Sequence, residues 1–232
     1  DYVVNFAQLT QRAGNFLVSR DMNEEFTWDN VKGKTVLGGR KGGMPQMVFE
    51  YILKKQGIDP SEDLNIVQNI DFGLTSQAFA SGQGDYTMEF EPAATALELE
   101  GVGKVVASLG VESGKVPYTA FSARKSYIEK NPEVIQKFTN ALQRGMEYVN
   151  SHSPEEIAKS ISPQFKETDI KTLTMLVTRY YEQDTWKENL IFEEDSLTLL
   201  LNILDEAGEL EKRVPYQDII IRDYAEKALE KK

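Results

Sequence analysis

The chain contains no cysteine and only one histidine. Disulfides, thiolate metal sites and cysteine nucleophiles are therefore ruled out. A Ser-His-Asp triad or a zinc site would have to be built around His152, which stands in the polar stretch VNSHSPEE and reads as a solvated loop residue. Enzyme chemistry is not expected, carboxylate-based catalysis being the one route left open, and no cofactor or metal is expected. Cations are also in deficit: 26 Lys and Arg against 37 Asp and Glu give a formal net charge of −11, which opposes nucleic-acid binding. The acids are spread along the chain rather than gathered in a tail, a pattern that favours solubility. No run approaches the ~20 apolar residues that a helix needs to span a bilayer. The N-terminal DYVVNFAQLT lacks the basic start and long apolar centre of a signal peptide, a segment that a mature exported protein would have lost.

What is present is globular: 232 residues, 41% hydrophobic and 27% charged, enough for one large domain or two small lobes. In the first half, YVVNFAQL, GNFLVSR, KTVLGG, LNIVQNI, DYTMEF and KVVASLG read as strands. MPQMVFEYILKKQGI, LTSQAFASGQ and PAATALELEG read as helices between them, with Gly57 as a C-terminal cap and Pro92 near a first turn. Short strands alternating with helices predict an α/β unit with a largely parallel sheet. From Asn131 onward the pattern is helical. NPEVIQKFTNALQRGMEYVNS opens with Asn131 as candidate N-cap and Pro132 at the first helical position, and SPEEIAKSI repeats a helix-opening signal with acids at its start. ETDIKTLTMLVTRYYEQD, EEDSLTLLLNILDEAGEL and PYQDIIIRDYAEKALEKK complete a helix-rich tail.

The stretch GGRKGGMPQM, Gly38 to Met47, most invites a functional reading. The upstream GKT fails as a P-loop because the required earlier glycine is Trp28 and the motif precedes a strand instead of following one. No glycine spacing in 38–43 satisfies the dinucleotide pattern. What remains is strand, glycine turn and helix, with Gly42 and Gly43 leaving backbone N–H groups unobstructed and Pro45 setting the first turn. Such an end suits a hydrogen-bond acceptor, or the glycines serve only to make a tight connection; residue chemistry leaves both open. Arg40 and Lys41 read as solvated. Two further loops follow strands: Asp71-Phe72-Gly73 and Glu89-Phe90-Glu91-Pro92. In an open parallel sheet these loops converge at the carboxyl ends, where Phe72 and Phe90 could clamp an organic group and Glu89 or Glu91 could accept from an amine or ring N–H.

The order of motifs resembles substrate-binding proteins of ABC importers, in the branch that handles nitrate, sulfonates, taurine and thiamine-pyrimidine precursors. The residues that carry the resemblance are Asn30-Val31-Lys32-Gly33-Lys34, Gly42-Gly43-Met44-Pro45, Gly57-Ile58-Asp59-Pro60, FASGQGDYTMEFEP from Phe79 to Pro92, and Ser126 to Glu156. The resemblance implies an α/β, two-lobe periplasmic-binding-protein-like fold of type II, with a parallel or mixed sheet flanked by helices. It places one lobe at 12–122 and the crossing strands and remainder of the other at 1–11 and 123–232, with the N-terminal part of that first lobe lacking. It implies ligand contacts from Gly42, Gly43, Met44, Phe90 and Glu91, with Thr10, Gln11, Tyr118 and Thr119 near the crossings, and the loop reading adds Phe72 to the candidate ligand-binding residues. The implied protein is a monomeric, non-enzymatic carrier, periplasmic or extracellular and tethered as a lipoprotein in its precursor. It would capture a small organic solute between its lobes and deliver it to a membrane permease, with no nucleic-acid partner. Two related readings are a pyrimidine-precursor synthase, which relies on histidine and a cysteine-rich segment, and the effector-binding domain of a LysR-type regulator.

Overall fold

The computed structural model describes residues 1–230, which form two compact units. Strand β1 (Val3–Thr10) starts one of them, made of residues 1–12, 115–201 and 211 onward. The other comprises residues 13–114 and 202–210.

The second unit holds the sheet. Its elements are β2 (Asn15–Ser19), β3 (Thr35–Leu37), α1 (Met44–Lys55), β4 (Asn65–Val67), α2 (Thr75–Ala80), β5 (Tyr86–Phe90), α3 (Ala93–Leu99), β6 (Lys104–Ser108) and α4 (Leu109–Ser113). The strand order is β4-β3-β5-β2-β6. β3 runs parallel to β4 and β5, whereas β2 runs antiparallel to both β5 and β6. The sheet is thus mixed, with β2 the one strand opposed to the rest. Phe16, Leu17, Val18, Val36, Leu37 and Met88 supply a dry sheet interior, and Phe49, Ile52 and Leu53 bury the inner face of α1. α1 ends where the helical pattern predicts: Gly57 takes φ +74°, a left-handed conformation that a residue with a side chain adopts only with strain. Arg20 pins the far side of the sheet. Its guanidinium donates to the carbonyls of Gly84, Phe79 and Gln83 and lies 4.1 Å from the centre of the Phe79 ring.

The first unit pairs β1 antiparallel with β7 (Thr119–Arg124) and surrounds this ribbon with helices. These are α5 (Lys125–Lys130), α6 (Pro132–Ser151), α7 (Pro154–Ile161), α8 (Ile170–Glu182), α9 (Glu194–Glu206, whose last turn counts with the other unit), α10 (Tyr216–Ile219) and α11 (Asp223–Glu230). Val4, Phe6 and Ala7 of β1 pack with Ile128, Ile135, Met146 and Ala225. The ribbon explains why residues 115–122, expected with the α/β portion, belong here: Thr119 to Ser122 are hydrogen-bonded to β1.

One local expectation is refined and one corrected. Asn131 holds the N-cap position of α6 as expected, but its side chain makes no capping bond; its amide instead donates back to the Tyr127 carbonyl in α5. PYQDIIIRDYAEKALE is not one helix. Ile220 forms a bridge to Asn5 and the Ile221 N–H donates to the Asn5 carbonyl, which draws the chain out of helical conformation between α10 and α11. β7 and α5 lie in a stretch whose sequence has no clear periodicity. The Ser153 signal is realised as a capping box with Glu156.

Candidate functional site

Because β3, β4 and β5 are mutually parallel, their carboxyl ends lie along one edge of the sheet. The glycine turn follows β3 there. The Gly38 N–H donates to the Val67 carbonyl at 2.9 Å, extending the β3–β4 ladder by one residue. A Cβ at Gly38 would stand 2.5 Å from Ile66 Cγ2, and one at Gly39 (φ +72°) would stand 2.7 Å from the Phe72 ring. Close approach of backbone to its neighbours requires glycine at both positions. Phe72, in the turn after β4, meets Phe90 at the end of β5 with ring centroids 5.1 Å apart. A cavity of ≈ 330 Å³ opens beside this pair, lined by Gly38, Arg40, Gly43, Met44, Asp71 and Phe72 among others. A larger one of ≈ 520 Å³ adjoins α1 and includes Lys41, Gln46, Glu50, Lys54 and Glu209.

The structure therefore gathers Gly43, Met44 and Phe72 around one space and sets Phe90 against Phe72. It also changes the part expected of the glycines. The Gly42 N–H donates to Gln46 Oε1 at 2.9 Å, and the Gly43 N–H donates to the Arg40 carbonyl at 3.1 Å. Neither offers a free donor, because the turn and the first helical turn satisfy them internally. Among the described residues, the Met44 and Gln46 N–H groups have no backbone partner outside α1. Arg40, expected to be solvated, is exposed and yet lines the smaller cavity, while Lys41 lines the larger.

Glu91 is occupied differently from the expectation. Its two carboxylate oxygens accept from the backbone N–H and the hydroxyl of Thr95, both at 3.0 Å, which secures the start of α3. Glu89 is buried within the sheet and accepts from the Thr87 hydroxyl at 2.7 Å. Burial pushes its carboxyl up to about 7, partly offset by hydrogen bonds from Thr87 and Thr75.

The four remaining candidates lie in the first unit, grouped by the β1–β7 ribbon. Thr10 is in register with Thr119, the first residue of β7, and Tyr118 precedes it. The Thr10 hydroxyl is buried and has no partner. Gln11 is committed: its Nε2 donates to Asp184 Oδ1 at 2.9 Å and its backbone N–H to the Thr185 carbonyl. Burial, with Tyr180 nearby, raises the Tyr118 hydroxyl well above its ordinary value. Thr119 is exposed.

Sequence reasoning missed Gln46 and Glu209. A glutamine three residues into a helix that opens on Gly43 is a capping signal that could have been read. Glu209 carries no local signal, although its carboxylate comes within 3.1 Å of where a Gly42 Cβ would stand.

His152 stacks on Tyr148 at 3.7 Å beyond the end of α6, with Nδ1 at the Tyr148 carbonyl. Among the described residues there is no cluster of three or more His, Asp or Glu suited to a metal, and no helix is long and apolar enough to cross a membrane. One unit is a mixed sheet with a glycine-turn cavity at its carboxyl edge and the other a ribbon with helices, a mixed α/β fold that matches that of solved periplasmic binding proteins. The family model described as NMT1/THI5 like matches residues 2–157, and the chain belongs to that family. It is 46% identical over 232 residues to YtlA of Bacillus subtilis (strain 168), named a binding protein, covering all of this chain and 70% of that one. The alkanesulfonate-binding protein SsuA from Xanthomonas axonopodis pv. citri, bound to MOPS, shares the fold with a TM-score of 0.71 at 16% identity, covering 95% of this chain and 74% of that one. The desulfurization enzyme DSZB, in complex with biphenyl-2-sulfinic acid, shares it with a TM-score of 0.69 at 12% identity, covering 99% and 80%.

Proposed function

We propose that the protein is the solute-binding component of an ABC-type import system, which reversibly captures a small organic solute and delivers it to a membrane permease outside the cytoplasm. The observation that supports this is the cavity of ≈ 330 Å³ formed where the glycine turn, Phe72 and the start of α1 meet. It is concave, partly aromatic and bordered by the opposite charges of Arg40 and Asp71, as sites for small polar organic molecules are. The reading is of a carrier and not a catalyst. The chain has no cysteine, and its one histidine is held by Tyr148 at a helix end. Membership of the NMT1/THI5-like family and likeness to a named binding protein support the same reading.

Thermal melts with sulfonates, nitrate, pyrimidines, riboflavin and amino acids test it. One class should raise the melting temperature in a concentration-dependent way, adding about 2.7 kcal/mol of stability at a hundredfold excess over Kd. Gly43→Leu should abolish that shift, since a Cβ there already meets the Arg40 carbonyl at 3.0 Å beside the cavity. No stabilisation by any class, or full stabilisation of the Gly43 variant, removes the reading.

A further inference from the structure

Three buried side chains form a run of hydrogen bonds behind the aromatic wall of the smaller cavity: Thr87 and Glu89 on β5, and Thr75 at the start of α2. The Thr87 hydroxyl donates to Glu89 Oε1 at 2.7 Å. The Thr75 hydroxyl is hydrogen-bonded both to the Glu89 carboxyl and to the Phe72 carbonyl, the latter at 2.8 Å. Phe72 lines the cavity, packs on Phe90 and covers Gly39.

The supply of protons fixes the direction of these bonds. A threonine hydroxyl carries one proton, and a backbone carbonyl can only accept. The Thr75 proton therefore goes to Phe72, and the bond between Thr75 and Glu89 must be donated by the carboxyl in its acid form. An ionised Glu89 has no proton to give. Thr75 would then have to turn its own toward the carboxylate and release the Phe72 carbonyl. Burial brings that choice close to neutrality, because it pushes the Glu89 carboxyl up to about 7.

No charged group nearby competes for the carboxyl. The elements packed on β5 are β2, β3, α2 and α3, and the first three carry no charged side chain. In α3, the Glu98 carboxylate accepts from the Val105 N–H. Glu91, just beyond β5, is held by Thr95, and Asp71, ahead of the turn, is exposed. On β5 itself, the Tyr86 hydroxyl donates to Glu24.

We propose that Glu89 and Thr75 are positioning residues that hold Phe72 in the cavity wall only while Glu89 keeps its proton, so that solute capture is proton-linked. The inference rests on the solute-binding reading and adds its regulation. Capture is tight at pH 6 and weakens at pH 8 by about fivefold, the worth of one buried hydrogen bond. By linkage, capture above neutral pH takes up a proton.

Hydrogen–deuterium exchange of the unliganded protein at pH 6 and pH 8, corrected for the intrinsic rate, reads the turn directly. Peptides covering Phe72 to Thr75 should lose about fivefold in protection at pH 8, while those covering α1 keep theirs. Glu89→Gln, whose amide donates to Thr75 and accepts from Thr87 at either pH, should keep the turn protected throughout. Thr75→Val should leave it unprotected at both, and Thr75→Ser should restore the wild-type response. Dissociation constants are then measured for whichever of taurine, nitrate, cytosine, riboflavin and glutamine stabilises wild type, none of which changes charge in this range. They should weaken at pH 8 in wild type and stay level in Glu89→Gln. Protection of the turn that ignores pH, or that falls uniformly along the chain, overturns the inference and leaves the solute-binding reading standing. Equal wild-type affinity at the two pH values does the same. Silence from all five probes while the turn still loosens removes the solute-binding reading, and the affinity half of the inference with it, but leaves the proton-held turn.

Discussion

Gln46 Oε1 accepts the N–H of Gly42 at 2.9 Å, so the glycine turn after β3 is closed by a side chain of the helix that follows it. Gln46 is itself only 4% exposed, and Gly42 has φ +73°, so the bond holds a left-handed turn in a desolvated place. The turn is consequently a preformed wall and not an open set of donors.

Replacing Gln46 with leucine should lower stability by about 1 kcal/mol, as loss of a capping bond does. Urea unfolding measures it. An unchanged midpoint would show that the turn does not depend on this bond.

Two glycines should respond oppositely to alanine. At Gly38 the new Cβ would lie 2.5 Å from Ile66 Cγ2, and accommodating it should cost about 1–3 kcal/mol. At Gly145, inside α6, a Cβ would meet nothing within 4 Å, so Gly145→Ala should add about 0.5–1 kcal/mol by improving helix propensity. Melting temperatures that move in the same direction would contradict the packing around the turn.

Glu89 should make the protein less stable as pH rises. Its carboxyl is pushed up to about 7 from an ordinary 4.5 by burial, so the folded state holds the proton more tightly than the unfolded chain. The favourable contribution is complete below the unfolded value and is lost as pH climbs through about 7, by roughly 3 kcal/mol in all. Glu89→Gln should flatten that dependence and stabilise the protein at pH 8, with the Thr87 hydroxyl still donating to the amide oxygen. Denaturant titrations at pH 5 and pH 8 measure both effects; parallel curves for wild type and variant would count against a strongly shifted carboxyl.

Glu91→Ala should destabilise the unliganded protein by about 1 kcal/mol, because both of its oxygens hold Thr95 at the start of α3. The measurement is an unfolding curve without solute. Unimpaired stability together with lost solute binding would return Glu91 to the role of ligand contact that the family resemblance implies.

Much of the architecture is legible because it is local. The short apolar run NFLVS and the alternating YTMEF become β2 and β5, and the apolar stripe from Met47 to Leu53 becomes the buried face of α1. The strand–glycine–helix order of Gly38 to Met47 likewise announces a turn that needs glycine. Periodicity carries no direction, however, so nothing in NFLVS tells that β2 opposes its neighbours. That reversal brings Asn15 to the same edge as Phe90.

The residues of the chain thus determined its elements, its family and the place of the glycine turn, since those follow from spacing along the backbone. Only the tertiary structure decided which polar groups at that edge are spent and which are not. Gln46 takes one glycine N–H, Thr95 takes both Glu91 oxygens, Glu209 arrives beside Gly42 from a distant segment, and Asn15 is left without a partner. Hydrogen-bond satisfaction depends on what packing brings within 3 Å, and packing joins residues that sequence spacing keeps apart.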